Sequence, residues 1–120
     1  MISRINLIIM KRRINKIEIP KFKPGTTVRQ RLKFYGKVKR VAFRNEVFLL
    51  AKKLGVTGVI YNDKKRVVVE VEGIKPQIDF LVNHLKEVKR FSITTIGAKT
   101  LKLKNDQTFK KIRRPKNGNQ

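Results

Sequence analysis

The chain contains no cysteine and a single histidine, His84. Disulfides, thiolate metal sites and nucleophilic cysteine chemistry are thereby excluded, and one imidazole does not make a zinc cluster. Acidic residues are scarce as well, with 8 Asp+Glu against 31 Lys+Arg in 120 residues, for a formal charge of +23. A field of that size attracts polyanions such as nucleic acid, or an anionic membrane surface, without naming a specific partner. Long apolar runs are missing too. "INLIIM" at 5–10 is too short to cross a bilayer and is followed by "KRR", the reverse of the order in a secretory signal. A cytoplasmic protein with no membrane engagement is expected, and Met10 before Lys11 offers a second candidate start.

What is present suits one folded domain. A chain of 120 residues with 40% apolar content is long enough for a core and too apolar for a disordered polycation. Residues 1–29 and 99–120 each carry eight basic residues and one acidic residue, so the charge is densest at the two ends. The expected division is a basic N-terminal extension over 1–28, a domain over 29–114 and a flexible tail over 115–120.

Periodicity supplies the elements. "KFKPGTTV" at 21–28 reads as a boundary, after which Leu32, Phe34, Gly36 and Val38 alternate with polar residues and predict a half-buried strand. Phe43, Val47, Leu50, Ala51 and Leu54 then recur at helical spacing up to the stop at Gly55. "VTGVIY" and "RVVVEVE" flank the polar tetrapeptide "NDKK" and predict a hairpin. A second helix follows "GIKP", with Pro76 in its first turn and Ile78, Leu81, Val82, Leu85 and Val88 on one face. "FSITTI" supplies a fourth strand and "TFKKI" a short fifth. The order βαββαβ predicts an α+β sandwich of the ferredoxin-like type, a mostly antiparallel sheet with two helices on one face.

"GKVKRVAFR" at 36–44 is the connection between the first strand and the first helix. Such a turn suits an anion, because the first helical N–H groups lack internal partners and Arg44 can present a bidentate fork. On spacing alone, Lys37, Lys39, Arg40 and Arg44 fit solvated surface charges equally well. Asn62 reads as the opening residue of the "NDKK" turn. His84, on the second helix without a candidate partner, reads as a surface or boundary histidine. Glu70 and Glu72 share one strand face and read as offsetting nearby lysines.

The same stretch resembles the acylphosphatase signature G-x-V-Q-G-V-x-F-R, and "GVIYN" at 58–62 resembles that family's G-x-V-x-N. "VVVEVEG" and "TFKKIRR" continue the similarity, which covers about residues 29–114. The resemblance implies a hydrolase that splits acyl phosphates into carboxylate and inorganic phosphate without a metal or cofactor. It implies that Arg44 binds the phosphate, that the N–H groups of Lys39, Arg40, Val41, Ala42 and Phe43 cradle its oxygens, and that Asn62 orients the attacking water. The partners it implies are a small acyl phosphate, with inorganic phosphate or sulfate as site ligand, and a monomer is expected. Lys39 and Arg40 stand where the family has Gln and Gly. If that glycine is needed for positive φ or close approach, Arg40 is strained by roughly 1–3 kcal/mol or fills the cradle.

The rival reading is a catalytically impaired scaffold that binds RNA or DNA through its charge. The third strand, "RVVVEVEG", carries no aromatic residue, and the adjacent Phe34 and Tyr35 face opposite sides of theirs, so no base-stacking platform is expected. Nucleic-acid binding would be electrostatic and non-specific.

Overall fold

The structure, a computed structural model, describes residues 4–38 and 42–113. Its centre is the strand β1, Thr27–Lys37, and the hairpin of β2, Thr57–Asp63, and β3, Arg66–Ile74. β1 pairs antiparallel with β3, setting Leu32 opposite Val69 and Phe34 opposite Val67. On its other edge β1 pairs with β4, Ser92–Leu101, which runs well beyond the expected "FSITTI" because it follows β1 as far as Arg29. β5, Phe109–Lys111, lies parallel to β2 and completes the order β4-β1-β3-β2-β5.

The hairpin turn is shorter than the sequence suggests. Only Lys64 and Lys65 form it, Lys64 at φ 53, while Asn62 and Asp63 belong to β2. Two residues suffice once β2 and β3 are paired up to Asp63 and Arg66.

Helices α2, Phe43–Leu54, and α3, Lys75–Glu87, cover one face of the sheet. Phe43, Val47, Leu50, Ala51 and Leu54 of α2 meet Ile78, Leu81 and Leu85 of α3 over Leu32, Phe34, Ile60, Val67, Val69 and Val71. Each such side chain contributes about 1.5–3 kcal/mol by leaving water. α2 ends at Gly55, whose φ of 81 lets its N–H reach the carbonyls of Ala51 and Lys52. At the start of α3, Gln77 accepts from the Ile74 N–H at 3.1 Å and donates to the Leu54 carbonyl at 3.0 Å, tying the two helices end to end.

A third helix, α1, Arg4–Asn15, lies within the basic extension, where no element is expected from the sequence. Met10 and Ile14, one turn apart, bury themselves in the core beside α2. The Lys53 ammonium of α2 caps the last turn of α1, donating to the carbonyls of Ile14, Asn15 and Ile17 at 2.9, 2.6 and 2.5 Å. Beyond it Phe22 packs edge-on against Phe80 of α3, so the segment leading to β1 is laid along the helix layer. Among the described residues no helix is long and apolar enough to cross a membrane.

The other face of the sheet carries a buried ionic cluster. Arg29, only 1% exposed, donates to Glu70 at 2.9 Å, Glu72 at 2.7 Å and Asp106 at 3.0 Å, and Arg31 donates to Glu70 at 3.1 Å. Glu70 and Glu72 are thus met at closest range by arginines, and of the lysines expected Lys104 adds a longer ion pair to Glu70 at 3.9 Å. A guanidinium fork satisfies two carboxylates on one strand, which a single ammonium cannot do in one plane. Backbone N–H groups of Lys104 and Asn105 also donate to Glu72, fastening the β4–β5 connection over this face.

Candidate active site

The first turn of α2 is set up by the backbone of Ala42. Its φ of 63 and ψ of 25 are left-handed, a conformation few non-glycine residues adopt, and it swings the chain into the helix without a side-chain cap. The Glu46 N–H is bonded to the Ala42 carbonyl at 3.0 Å, and the N–H groups ahead of it have no helical carbonyl to meet. Phe43 locks the start in place by packing its ring at a tilt against Phe34, 5.1 Å between centroids, and edge-on against Phe91 at 4.9 Å. Arg44 is exposed one residue further on and has no hydrogen bond or ion pair among the described residues. Lys39, Arg40 and Val41, the rest of the expected cradle, lie outside the described residues.

Asn62 comes to the same end of the molecule by sheet geometry. β1 and β2 are both antiparallel to β3 and so run in one direction, and α2 begins just beyond the end of β1. Phe34 and Asn62 both pair with Val67, which places them in one row across three strands and on one face, the face covered by the helices. Phe34 touches Phe43, so Asn62 sits level with the start of α2. Its Oδ1 is buried and has no hydrogen-bond partner among the described residues.

A further cation, not singled out from sequence, reaches this place from β5. Lys111 pairs in register with Ile60, two residues before Asn62, and its ammonium donates to Asn45 Oδ1 at 2.8 Å. Only the parallel pairing of β5 with β2 brings it to Arg44.

Over residues 30–111 the chain matches the family model for acylphosphatase. The chain belongs to the acylphosphatase family. Among solved structures it resembles acylphosphatase from Bacillus subtilis, at 25% identity and a TM-score of 0.66, covering 71% of this chain and 98% of that one. The fold of an acylphosphatase from Coxiella burnetii is also similar, at 22% identity and a TM-score of 0.67 over 72% and 93% of the two chains. Full-length HypF, crystallised in a phosphate- and nucleotide-bound form, gives a TM-score of 0.70 and 26% identity over 77% of this chain. This chain spans only 12% of HypF. No curated protein sequence matches the chain significantly.

Within this acylphosphatase domain, the helix that carries Arg44 is held from below by Glu46. The carboxylate is fully buried; Oε1 accepts from Arg13 of α1 and from Arg90, both at 2.8 Å, and Oε2 lies 2.7 Å from His84 Nε2. Burial by itself pushes the Glu46 carboxyl up, but His84, Arg13 and Arg90 outweigh it and hold the group below the ordinary glutamate value. His84 is thus a half-buried boundary histidine, and in Glu46 it has the partner that the sequence did not offer. The signal was in the helix pattern: Glu46 falls on the same face as Phe43, Val47 and Leu50, where an acid needs a cation.

Proposed function

We propose that the chain is an acylphosphatase that hydrolyses the carboxyl–phosphate bond of acyl phosphates, releasing a carboxylate and inorganic phosphate. The mixed anhydride is already activated and its carboxylate leaves readily, so the protein has to position water and stabilise charge on the phosphoryl oxygens. Arg44 takes two of those oxygens in its fork, and the N–H groups from Lys39 to Phe43 take the others at the positive end of α2. Asn62 Oδ1 accepts a hydrogen bond from the attacking water and holds it in line with the departing carboxylate.

The observation that carries this reading is the buried Asn62 Oδ1, without a partner among the described residues, on the helix-covered face and level with the start of α2. An acceptor left in that condition costs about 1–3 kcal/mol, and a water donating to it recovers the loss. Arg40, in place of the family's Gly, is the departure that bears on turnover.

Hydrolysis of benzoyl phosphate tests the proposal. Arg44→Ala and Asn62→Ala are each expected to lower kcat/KM by about a hundredfold or more, the size of a lost transition-state donor. Arg40→Gly is expected to leave or raise the rate. An inactive wild type with an active Arg40→Gly would locate a block at the cradle. Inactivity in every protein would overturn the enzymatic reading in favour of a polyanion-binding scaffold, whose affinity falls steeply with salt.

A further inference from the structure

Two cations from different elements meet beside the first turn of α2 with no carboxylate paired to either among the described residues. The Lys111 ammonium donates to Asn45 Oδ1 at 2.8 Å and sits 5.0 Å from the centre of the Phe48 ring, while Arg44 immediately precedes Asn45. The group is held below the ordinary lysine value first by burial and then by the charge of Arg44. The acid of α2 that could screen the pair, Glu46, is turned inward and fully taken up by Arg13, Arg90 and His84. Neither Arg44 nor Lys111 has an ion-pair partner among the described residues.

Lys111 holds its ammonium on Asn45 Oδ1 beside Arg44, both cations exposed, and like charges gathered at one place are relieved by an anion. The phosphoryl group already has Arg44 and the orphan N–H groups. The ammonium approaches from the β5 side, in the row of Ile60 rather than of Asn62. We infer that Lys111 recognises a second carboxylate on the acyl portion of the substrate, so that the chain favours acyl phosphates of dicarboxylic acids over those with neutral acyl groups. This rests on the acylphosphatase reading above.

Non-hydrolysable acyl phosphonates separate the two ideas in a binding experiment that needs no turnover. Butanoyl phosphonate and its carboxylated counterpart, succinyl phosphonate, are titrated calorimetrically at low salt into wild type, Lys111→Met and Lys111→Arg. Wild type is expected to bind the carboxylated analogue about fivefold more tightly, a typical gain for one partly exposed charge pair. Lys111→Met should erase that ratio while changing affinity for the neutral analogue by less than about twofold, and Lys111→Arg should keep it. Equal affinities in wild type would overturn the inference. So would an equal loss of both ligands in Lys111→Met, which would make Lys111 a phosphoryl ligand or a packing residue. Binding of neither analogue by wild type would sink the acylphosphatase reading and this one with it.

Discussion

Ala42 is the residue on which the local geometry turns. A Cβ in the left-handed region costs roughly 1–2 kcal/mol, and the fold tolerates it because Phe43 on one side is fixed between Phe34 and Phe91. Glycine has no such cost, although it frees the unfolded chain. Ala42→Gly is therefore expected to raise stability by about 0.5–1 kcal/mol, seen as a Tm higher by a few degrees in a circular-dichroism melt. An unchanged or lower Tm would mean that the strain is absorbed elsewhere. Gly58 shows the opposite case: at φ 134 an added Cβ would lie 1.8 Å from the Glu70 carbonyl, so the glycine of "GVIYN" serves the close approach of β2 to β3. Its match to a family motif thus has a backbone reason independent of catalysis.

At the scale of elements, α1 deserves the most weight, because it lies outside the residues matched by the family model yet shares the core. It reaches the site helix through three contacts: Ile14 in the core, Lys53 on its last carbonyls and Arg13 on Glu46. If α1 is an integral part of the domain, Ile14→Ala should cost about 2–5 kcal/mol, as for other fully buried isoleucines. Urea denaturation measures this directly. A loss below about 0.5 kcal/mol, the size of a surface substitution, would show that the helix is not docked in solution. The elements of the sheet and of α2 and α3 were legible because each writes its period within a dozen residues. α1 was not, because among the described side chains its inward stripe is just Leu7, Met10 and Ile14, in a stretch otherwise crowded with cations and with the exposed Ile8 and Ile9.

For the whole molecule, four of the eight acids, Glu46, Asp63, Glu70 and Glu72, are buried. Glu46 ties the three helices together, and Glu70 and Glu72 hold the open face of the sheet with Arg29. Burial pushes Glu70 up as it does Glu46, but the hydrogen bonds of Arg29 and Arg31 bring it below its ordinary value. Both carboxyls thus have folded values below the unfolded one, so their contribution is complete above the unfolded pKa of about 4.3 and is lost as pH falls through the folded values. Glu46→Gln is expected to cost about 3 kcal/mol at pH 7, and its deficit relative to wild type should shrink once the pH drops below about 4. Urea titrations at pH 7 and at pH 3.5 check both points; a deficit that stays constant with pH would show that Glu46 contributes by shape rather than by charge.

The sequence by itself determined the order of elements from β1 to β5, the face each buries and the two motifs that mark the family. Those depend on neighbours at short range, where alternation, helical period and glycine position are written directly. It also brought Arg44 to a strand-to-helix turn. Whether Asn62 was a turn residue or a strand residue was decided by the tertiary structure, since only pairing with β3 up to Asp63 reduces the turn to Lys64 and Lys65 and lays Asn62 level with Phe34. The same holds for the partners of Glu46, for Arg29 beneath the open face and for Lys111 beside Arg44. These are contacts between residues 33 to 77 positions apart or more distantly coupled strands, fixed by sheet register and helix packing. A local pattern can show that a charge lies on a buried face, but only the register across the sheet says which opposite charge, or which unmatched like charge, it meets there.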